Sequence, residues 1–407
     1  MAVVAPYGDG GAHARAYARH GWEPLAVTLP AGALPPYQRQ RPYVTGYRRE
    51  IHHDGGLRQF LKRLRARDVT AVVAGSGLGV ALADRIARGL GLPGGDPATS
   101  EMRTDRGRQA AALAAAGIAA PSTLRTQSLV EALEWAAPNC PAYVVAPADS
   151  SATEPPVLCS TPEDIGAVWE GMRNAAREQT GTGDLVVQEA VVGAQYLVHC
   201  IRQPWITGDA DTAITSISAE LRITVRVHSR SDLISPSSLT FRSLSLYTAR
   251  VMSALDIHGA ARLRVAFTAH RGPVLLSARA WAHSTATDHL PDPSNGTGHF
   301  SAAAAATVSG HLPQPHADEP RHVAVVSLRA PHNGVLDGPL LRTVTTLPTV
   351  QYVQGALAGG AAVRQTVDRA TSPGRLVLAD NSLRALDQDY RVIRAVEQMG
   401  LYRGAAR

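Results

Sequence analysis

Between residues 1 and 90 the chain alternates short, nearly unbroken apolar runs with helical stretches, and that alternation leaves few folds open. The runs MAVVA, PLAVT and TAVVA, with EIHH as a shorter and more polar strand segment, alternate with helical patterns over 11–20, 56–67 and 79–90. Strands without polar alternation are buried on both faces, so the helices must cover a parallel sheet from its two sides. The expectation is a doubly wound domain over residues 1–97.

Length and composition then narrow the class. At roughly 100 to 200 residues per domain, 407 residues make two or three domains. With 45% hydrophobic and 18% charged residues the chain is ordinary globular material, which excludes disorder as its main state. No stretch approaches the roughly 18 apolar residues a membrane helix needs, and the first residues lack a signal peptide's basic run and apolar block. A cytoplasmic protein that does not engage membranes is expected. Cys140, Cys159 and Cys200 are far apart with no CxxC spacing, so they read as packing residues.

Lys62 is the sole lysine beside 39 arginines. Codon bias accounts for most of that, but a guanidinium does not replace an ammonium point charge in chemistry that needs one. The net charge of +6 does not indicate nucleic acid, because the arginines are dispersed and the cluster over 58–67 suits one solvated helix face.

Further along, 106–116 is an Ala-rich helix closed by Gly117, and 129–136 is another helix. YVVAPAD and PPVLCS form two short strands around a turn. Ser160 and Thr161 cap an amphipathic helix, and DLVVQEAVV is a strand. LRITVRVHS alternates as a strand, and ARLRVAFTAHRGPVLLSARAW reads as two strands joined at His270, Arg271 and Gly272. A helix from Ser301, with close-packing alanines 302–306, precedes a Pro/His-rich linker (LPQPHADEP) and a mixed tail. GDGGAHA and GSGLG sit where phosphate loops sit but do not match GxGxxG, and they read as helix starts.

Six strings carry a family signal in their order and spacing: VVAGSGLGVALADRIARGLGLPG, DRGRQAAALAAAGI, YVVAPADSSATEPPV, VVQEAVVGAQY, GAARLRVAFTAHRGPVLLSARAW and SPGRLVLADNSLRALDQDYRVIRAVEQMGLY. Together they resemble the ATP-grasp carboxylate-amine ligases, particularly those joining amino acids into dipeptides, over nearly the whole chain. The resemblance implies an α/β ATP-grasp fold. Its parts are the doubly wound domain 1–97, an ATP-grasp domain 98–310 with a small lobe about 122–192 of antiparallel sheet, and a small α+β unit 311–407. It implies acyl-phosphate chemistry with ATP held between two antiparallel sheets by lysines and by magnesium on acidic side chains, and a homodimer.

Reading those positions individually gives an altered inventory. Arg106 stands at the first lysine, and Ala146 at the second. The loop SSATEPPV has no glycine and carries Pro155 and Pro156, which stiffen it and remove two N–H donors. Gln188 and Glu189 match the adenine-facing pair, while Gln195 replaces a glutamate. At the metal positions Arg264 and Ser277 replace two glutamates, Arg279 an asparagine, and Trp281 an arginine. Phosphoryl transfer depends on charge neutralisation, and magnesium needs hard oxygen ligands. A guanidinium at roughly 4 Å repels a divalent cation by several kcal/mol even at an effective dielectric near 20. Magnesium binding and ordinary ligation are therefore not expected here, and ATP binding is doubtful.

Three functions are compatible. The leading one is an atypical or inactive member (a pseudoenzyme) of amide or peptide metabolite biosynthesis, binding an amino acid or carboxylate or a partner enzyme. The second is an active ATP-dependent carboxylate-amine ligase in which Arg264 and Arg279 take over part of the metal's charge. The third is another reaction on an anion held by Arg106, Arg264 and Arg279, unless those arginines pair with Asp105 and Asp149. A metal cluster of His283, His289 and His299 with Asp288 and Asp292 has no compact ligand spacing, and Ser76, Ser150 and Ser151 lack a nucleophile elbow.

Overall fold

A computed structural model describes residues 1–39, 44–54, 56–136, 141–152, 154–204, 211–224, 226–285, 298–312, 322–355, 357–368 and 371–404. The chain divides into two compact units, one of Met1–Ser216, Leu239–Ser284 and His299–Pro315, the other of Ile217–Ser238, Thr285–Gly298 and His316–Arg407.

The first unit opens with the alternation read from the sequence: β1 (Ala2–Val4), α1 (Gly11–Ala18), β2 (Leu25–Thr28), α2 (Pro36–Arg39), β3 (Arg49–His52), α3 (Leu57–Arg65), β4 (Val72–Ala74) and α4 (Val80–Leu90). The strands form a parallel sheet in the order β3-β2-β1-β4. Residues of β1 and β2 are buried throughout, as two-sided cover requires. α3 buries Phe60, Leu61 and Leu64 and leaves Lys62 and Arg65 in solvent, which is the solvated basic face. In the GSGLG turn, a Cβ on Gly79 would lie 2.2 Å from the carbonyl oxygen of Val4, so glycine is needed for close packing of the turn on the sheet.

Next come α5 (Arg106–Ala115), β5 (Thr123–Thr126), α6 (Leu129–Ala136), β6 (Tyr143–Pro147), β7 (Val157–Cys159), α7 (Pro162–Thr180) and β8 (Leu185–Glu189). Gly117 takes φ +63°, the left-handed stop expected after α5. Thr161 caps α7 in a reciprocal box with Asp164. The antiparallel sheet β5-β8-β6-β7 packs on α6 and α7 around Trp169, Ile165, Tyr143 and Leu185. Cys159 and Cys200 are buried free thiols, in keeping with packing roles, and Cys140 lies outside the described residues.

Then follow β9 (Ala194–Arg202), β10 (Thr212–Arg222), β11 (His228–Leu233), α8 (Leu239–Ala254), β12 (Gly259–Thr268), β13 (Gly272–Arg279) and α9 (His299–Ser309). In the first unit β9 and β13 flank β12 in an antiparallel sheet. Its covered face, with Val198, Cys200, Leu263 and Val265, lies beneath α8, where Cys200 Sγ is 3.5 Å from Met252 Sδ. α9 places Ala302, Ala303, Ala304 and Ala306 in buried positions against its neighbours, the close-packed face expected of the alanine run.

One expected strand is a turn. LRITVRVHS alternates, but Ile223 N–H closes on Val227 O at 3.0 Å and Thr224 Oγ1 accepts from Val227 N at 3.1 Å, so β10 and β11 form a hairpin there. Alternation alone does not locate a reversal when the turn carries no Gly or Pro.

The second unit contains the end of β10, β11, β14 (His322–Ser327), β15 (Gly334–Leu336), α10 (Gly338–Thr345), β16 (Val350–Gln354), β17 (Ala362–Val363), β18 (Arg375–Asp380), α11 (Leu383–Val396) and β19 (Tyr402–Gly404). β11, β14, β18 and β16 are successive antiparallel neighbours, and β17-β15-β19 is a smaller sheet. Their core includes Val326, Leu376, Leu378, Leu386 and Ile393. The linker LPQPHADEP falls almost wholly outside the described residues.

Four histidines of the first unit, His13, His199, His283 and His299, are buried near one another. His299 Nδ1 accepts from His283 N at 3.3 Å, and the rings of His199 and His299 lie 5.1 Å apart. Burial pushes His13 down to about 3 and His299 to about 4, and it holds His283 well below its ordinary value. The folded chain keeps these rings neutral while the unfolded chain protonates them below about pH 6.5. Stability is therefore expected to fall on acidification through that range, by about 1.4 kcal/mol per pH unit for each such histidine. Urea melts at stepped pH would show a shallower slope in His13→Phe. Gly79→Ala is expected to lose about 1–3 kcal/mol by the same measurement, while Gly32→Ala, with open space around it, is near neutral.

Candidate functional site

The face of the β9-β12-β13 sheet opposite α8 carries the site. Arg262 stands directly across from Arg279, and Arg264 from Ser277, with His199 and Leu197 completing the rows on β9. Facing partners share a face, as do residues two apart on a strand, so Arg262, Arg264, Ser277 and Arg279 form one patch. A register shift past Arg264, where Val265 faces Leu275, makes Leu276 an inserted residue. Bulges of this kind re-aim side chains at sites.

Arg106 opens α5 immediately after its cap Asp105 and joins the same region. Its buried guanidinium donates to Pro147 O and, at 3.0 Å, to Asp149 O. Arg279 Nη2 donates to Ala152 O at 2.9 Å, and its guanidinium lies 5.8 Å from the centre of the Trp281 ring. Arg264 Nη2 donates to Gln195 Oε1 at 3.1 Å. Burial drives Arg279 well below the usual arginine range, and the charges of Arg262, Arg106 and Arg264 push it further, with Asp149 opposing. Burial also lowers Arg106, to about 10.

The nearby carboxylates bind other partners. Asp105 accepts from Arg108 N at 2.9 Å and pairs with Arg125 at 2.8 Å, while Asp149 Oδ1 accepts from Ser151 N at 2.7 Å. The hydrogen bonds of Arg106 and Arg279 thus go to neutral main-chain oxygens. A guanidinium cluster of this kind favours an oxyanion, for which each planar fork is a ready donor.

The loop after β6 closes onto this patch. Ser150 N–H donates to Thr104 O at 2.6 Å and Glu154 N–H to Gln179 Oε1 at 2.8 Å, while Arg279 holds Ala152. A Cβ on Gly77 would lie 2.4 Å from Ser151 Cβ and 3.0 Å from the Trp281 ring, so the GSGLG turn, the loop and the indole meet there. Ala146 lies buried with Ala148 and Val186 in a small apolar cluster.

Gln188 Nε2 donates to Thr123 Oγ1 at 3.0 Å across β5 and β8. Glu189 forms a forked pair with Arg271 at 2.5 and 3.1 Å, and that arginine sits in the β12–β13 turn. Both residues lie at the end of β8, beside the strand carrying Ala146.

Magnesium takes hard oxygen ligands, and on the paired strands themselves the patch presents the Ser277 hydroxyl among the guanidiniums of Arg262, Arg264 and Arg279. Among the described residues no group of three or more His, Cys, Asp or Glu is placed to hold a metal. His283 and His299 do come together, whereas His289, Asp288 and Asp292 lie outside the described residues.

Two residues of the site carry little signal in the sequence. Arg262 is found by period-2 reasoning from Arg264. Gln109, whose amide donates to Ala278 O at 2.9 Å and accepts from Ala278 N at 3.0 Å, clamps β13 to α5 and is invisible without the fold.

No protein-family model and no curated protein matches this sequence. Solved structures do match along nearly the whole chain. An L-amino acid ligase from Bacillus licheniformis superposes with a TM-score of 0.70 at 14% identity, over 97% of this chain and 96% of its own. N5-carboxyaminoimidazole ribonucleotide synthetase from Thermus thermophilus gives 0.62 at 16%, over 97% and 98%. The biotin carboxylase domain of 2-oxoglutarate carboxylase from Hydrogenobacter thermophilus, solved with magnesium ADP and bicarbonate, gives 0.62 at 12%, over 95% and 88%. Among the described residues no helix is long and apolar enough to cross a membrane. Likeness over nearly the whole chain shows a shared architecture of one parallel and further antiparallel sheets with helices, and this chain has the ATP-grasp fold.

Proposed function

We propose that the chain is an ATP-grasp homologue of amide or peptide metabolite biosynthesis that binds an anionic small molecule directly on guanidiniums, without magnesium-dependent phosphoryl transfer. The observation that carries this reading is the convergence of Arg106, Arg262, Arg264 and Arg279, where burial and then the charges of Arg262, Arg106 and Arg264 lower Arg279, with Asp149 opposing. Like charges gathered this closely repel, and a carboxylate or phosphate offsets that repulsion with no metal between. A binding or partner role follows, with an amino acid or other carboxylate as the first ligand class to try.

The loop geometry supports this reading. Arg279 ties Ala152 to the sheet, so the segment over the cleft is fastened by the residue that replaces a metal ligand. A hydrogen bond from a charged donor contributes about 1.5–3 kcal/mol. Loss of the Arg279 guanidinium therefore removes an anion contact and releases the loop together.

Calorimetry with ATP, with pyrophosphate and with an amino-acid panel, each with and without magnesium, tests the proposal. Anion binding that is unchanged or weakened by magnesium is expected. Tight ATP binding that strengthens with magnesium, or phosphate release with any amino-acid pair, would overturn the reading. Arg279→Met and Arg264→Met are expected to weaken anion binding about tenfold or more each, since each removes a charge-assisted hydrogen bond.

A further inference from the structure

A second site lies within the first unit, sharing Trp281 with the arginine patch but otherwise lined by different residues, and its ligand does not depend on the function proposed for the patch. A cavity of about 150 Å³ runs beside β4 and α4, walled by small residues that include Ala71, Ala74, Ala83, Ala87 and Gly94. That space is enough for on the order of ten waters or one small organic molecule. Trp281 is also part of its lining.

Its polar wall is unusual. His13 is 2% exposed, lines the cavity from α1, and neither ring nitrogen has a hydrogen-bond partner among the described residues. Gln203 is also 2% exposed, and its Oε1 accepts no hydrogen bond there. Arg103, equally buried, binds Asp84 at 2.7 Å and Asp256 at 3.2 Å, yet its Nε–H has no partner among the described residues. Buried polar groups are nearly always hydrogen-bonded, and leaving one unmade costs about 1–3 kcal/mol. Three such side chains around one cavity point to a ligand.

The pattern names the ligand's chemistry. A neutral imidazole offers one donor and one acceptor, and burial keeps His13 neutral at physiological pH. With Gln203 Oε1 and Arg103 Nε–H, the wall presents two acceptors and two donors. A primary carboxamide has two N–H donors and two lone pairs on its oxygen, the complementary set. A carboxylate would leave Gln203 Oε1 without a donor, and the Arg103 charge is already balanced by Asp84 and Asp256. An ammonium ion would compete with Arg103 for Asp84, the carboxylate that lines the cavity. We infer that this cavity binds a small uncharged molecule through a primary carboxamide, hydrogen-bonded by His13, Gln203 and Arg103, with its apolar part against the alanines.

The test uses the full chain with propionamide, propionate and N,N-dimethylpropionamide as probes. Binding is followed by calorimetry and by the ring signals of His13 in histidine-labelled protein. Saturable propionamide binding at millimolar concentration that shifts His13 is expected, with both analogues at least about tenfold weaker because each leaves buried groups unpaired. Ala83→Leu, which fills the cavity, is expected to abolish the response. Gln203→Met removes the acceptor at similar volume and is expected to weaken propionamide at an unchanged melting temperature, which keeps the test decisive if Ala83→Leu does not fold. No saturable binding, equal binding of the three probes, or propionamide binding that leaves His13 unshifted and survives Gln203→Met would overturn the assignment.

Discussion

Repulsion among guanidiniums on one sheet face is the constraint around which the site of this protein is organised. β12 and β13 face each other with Arg262 on Arg279 and Arg264 on Ser277, and α5 brings Arg106 to the same place. Each of these positions is fixed by ladder hydrogen bonds or a helix cap, so the charges cannot simply move apart. What relieves them is local: main-chain carbonyl oxygens at Pro147, Asp149 and Ala152, the amide of Gln195 and the face of Trp281. Carbonyl dipoles, an aromatic quadrupole and the opposing carboxylate of Asp149 soften that repulsion.

The same elements separate the packing of the hairpin from the side chains of the cleft. The cap of α5, the clamp of Gln109 on Ala278, and the covered face of Leu263, Val265 and Ala278 hold the hairpin from the side away from the cleft. Substitutions on the cleft side leave that packing untouched. Arginine also has the long apolar stem that lets a charge sit on a half-buried sheet, which a shorter residue would not manage.

Much of this is legible in the sequence, and the exceptions have physical reasons. The Val/Ala runs point to the parallel sheet because two-sided burial leaves a continuous apolar signature. Thr161 with Asp164, and Gly117 at positive φ, mark helix ends because caps are local. The helix α8 carries a weaker signal: it buries Thr248 and exposes Leu239 and Leu246, which blurs its amphipathic pattern. The reversal inside LRITVRVHS is hidden because its turn is closed by Thr224 rather than Gly or Pro. In the site, the identities of Arg106, Arg264, Ser277 and Arg279 are readable by position, but the partners of Asp105 and Asp149 are not, since side-chain pairing depends on distant elements. The histidines gather from positions 13 to 299, a separation at which sequence carries no signal.

The forked pair of Glu189 and Arg271 joins the end of one antiparallel sheet to the turn of the other. Its side chains are 22% and 41% exposed, so solvent and salt reach it. Screening acts over about 10 Å at 0.1 M ionic strength, and an ion pair this open contributes under about 1 kcal/mol. A tie of that strength does not fix an angle; it sets a spring constant. The stiffness of the joint between the two sheets is thereby tied to the ionic composition of the surroundings, stiffer in dilute solution and softer in concentrated salt.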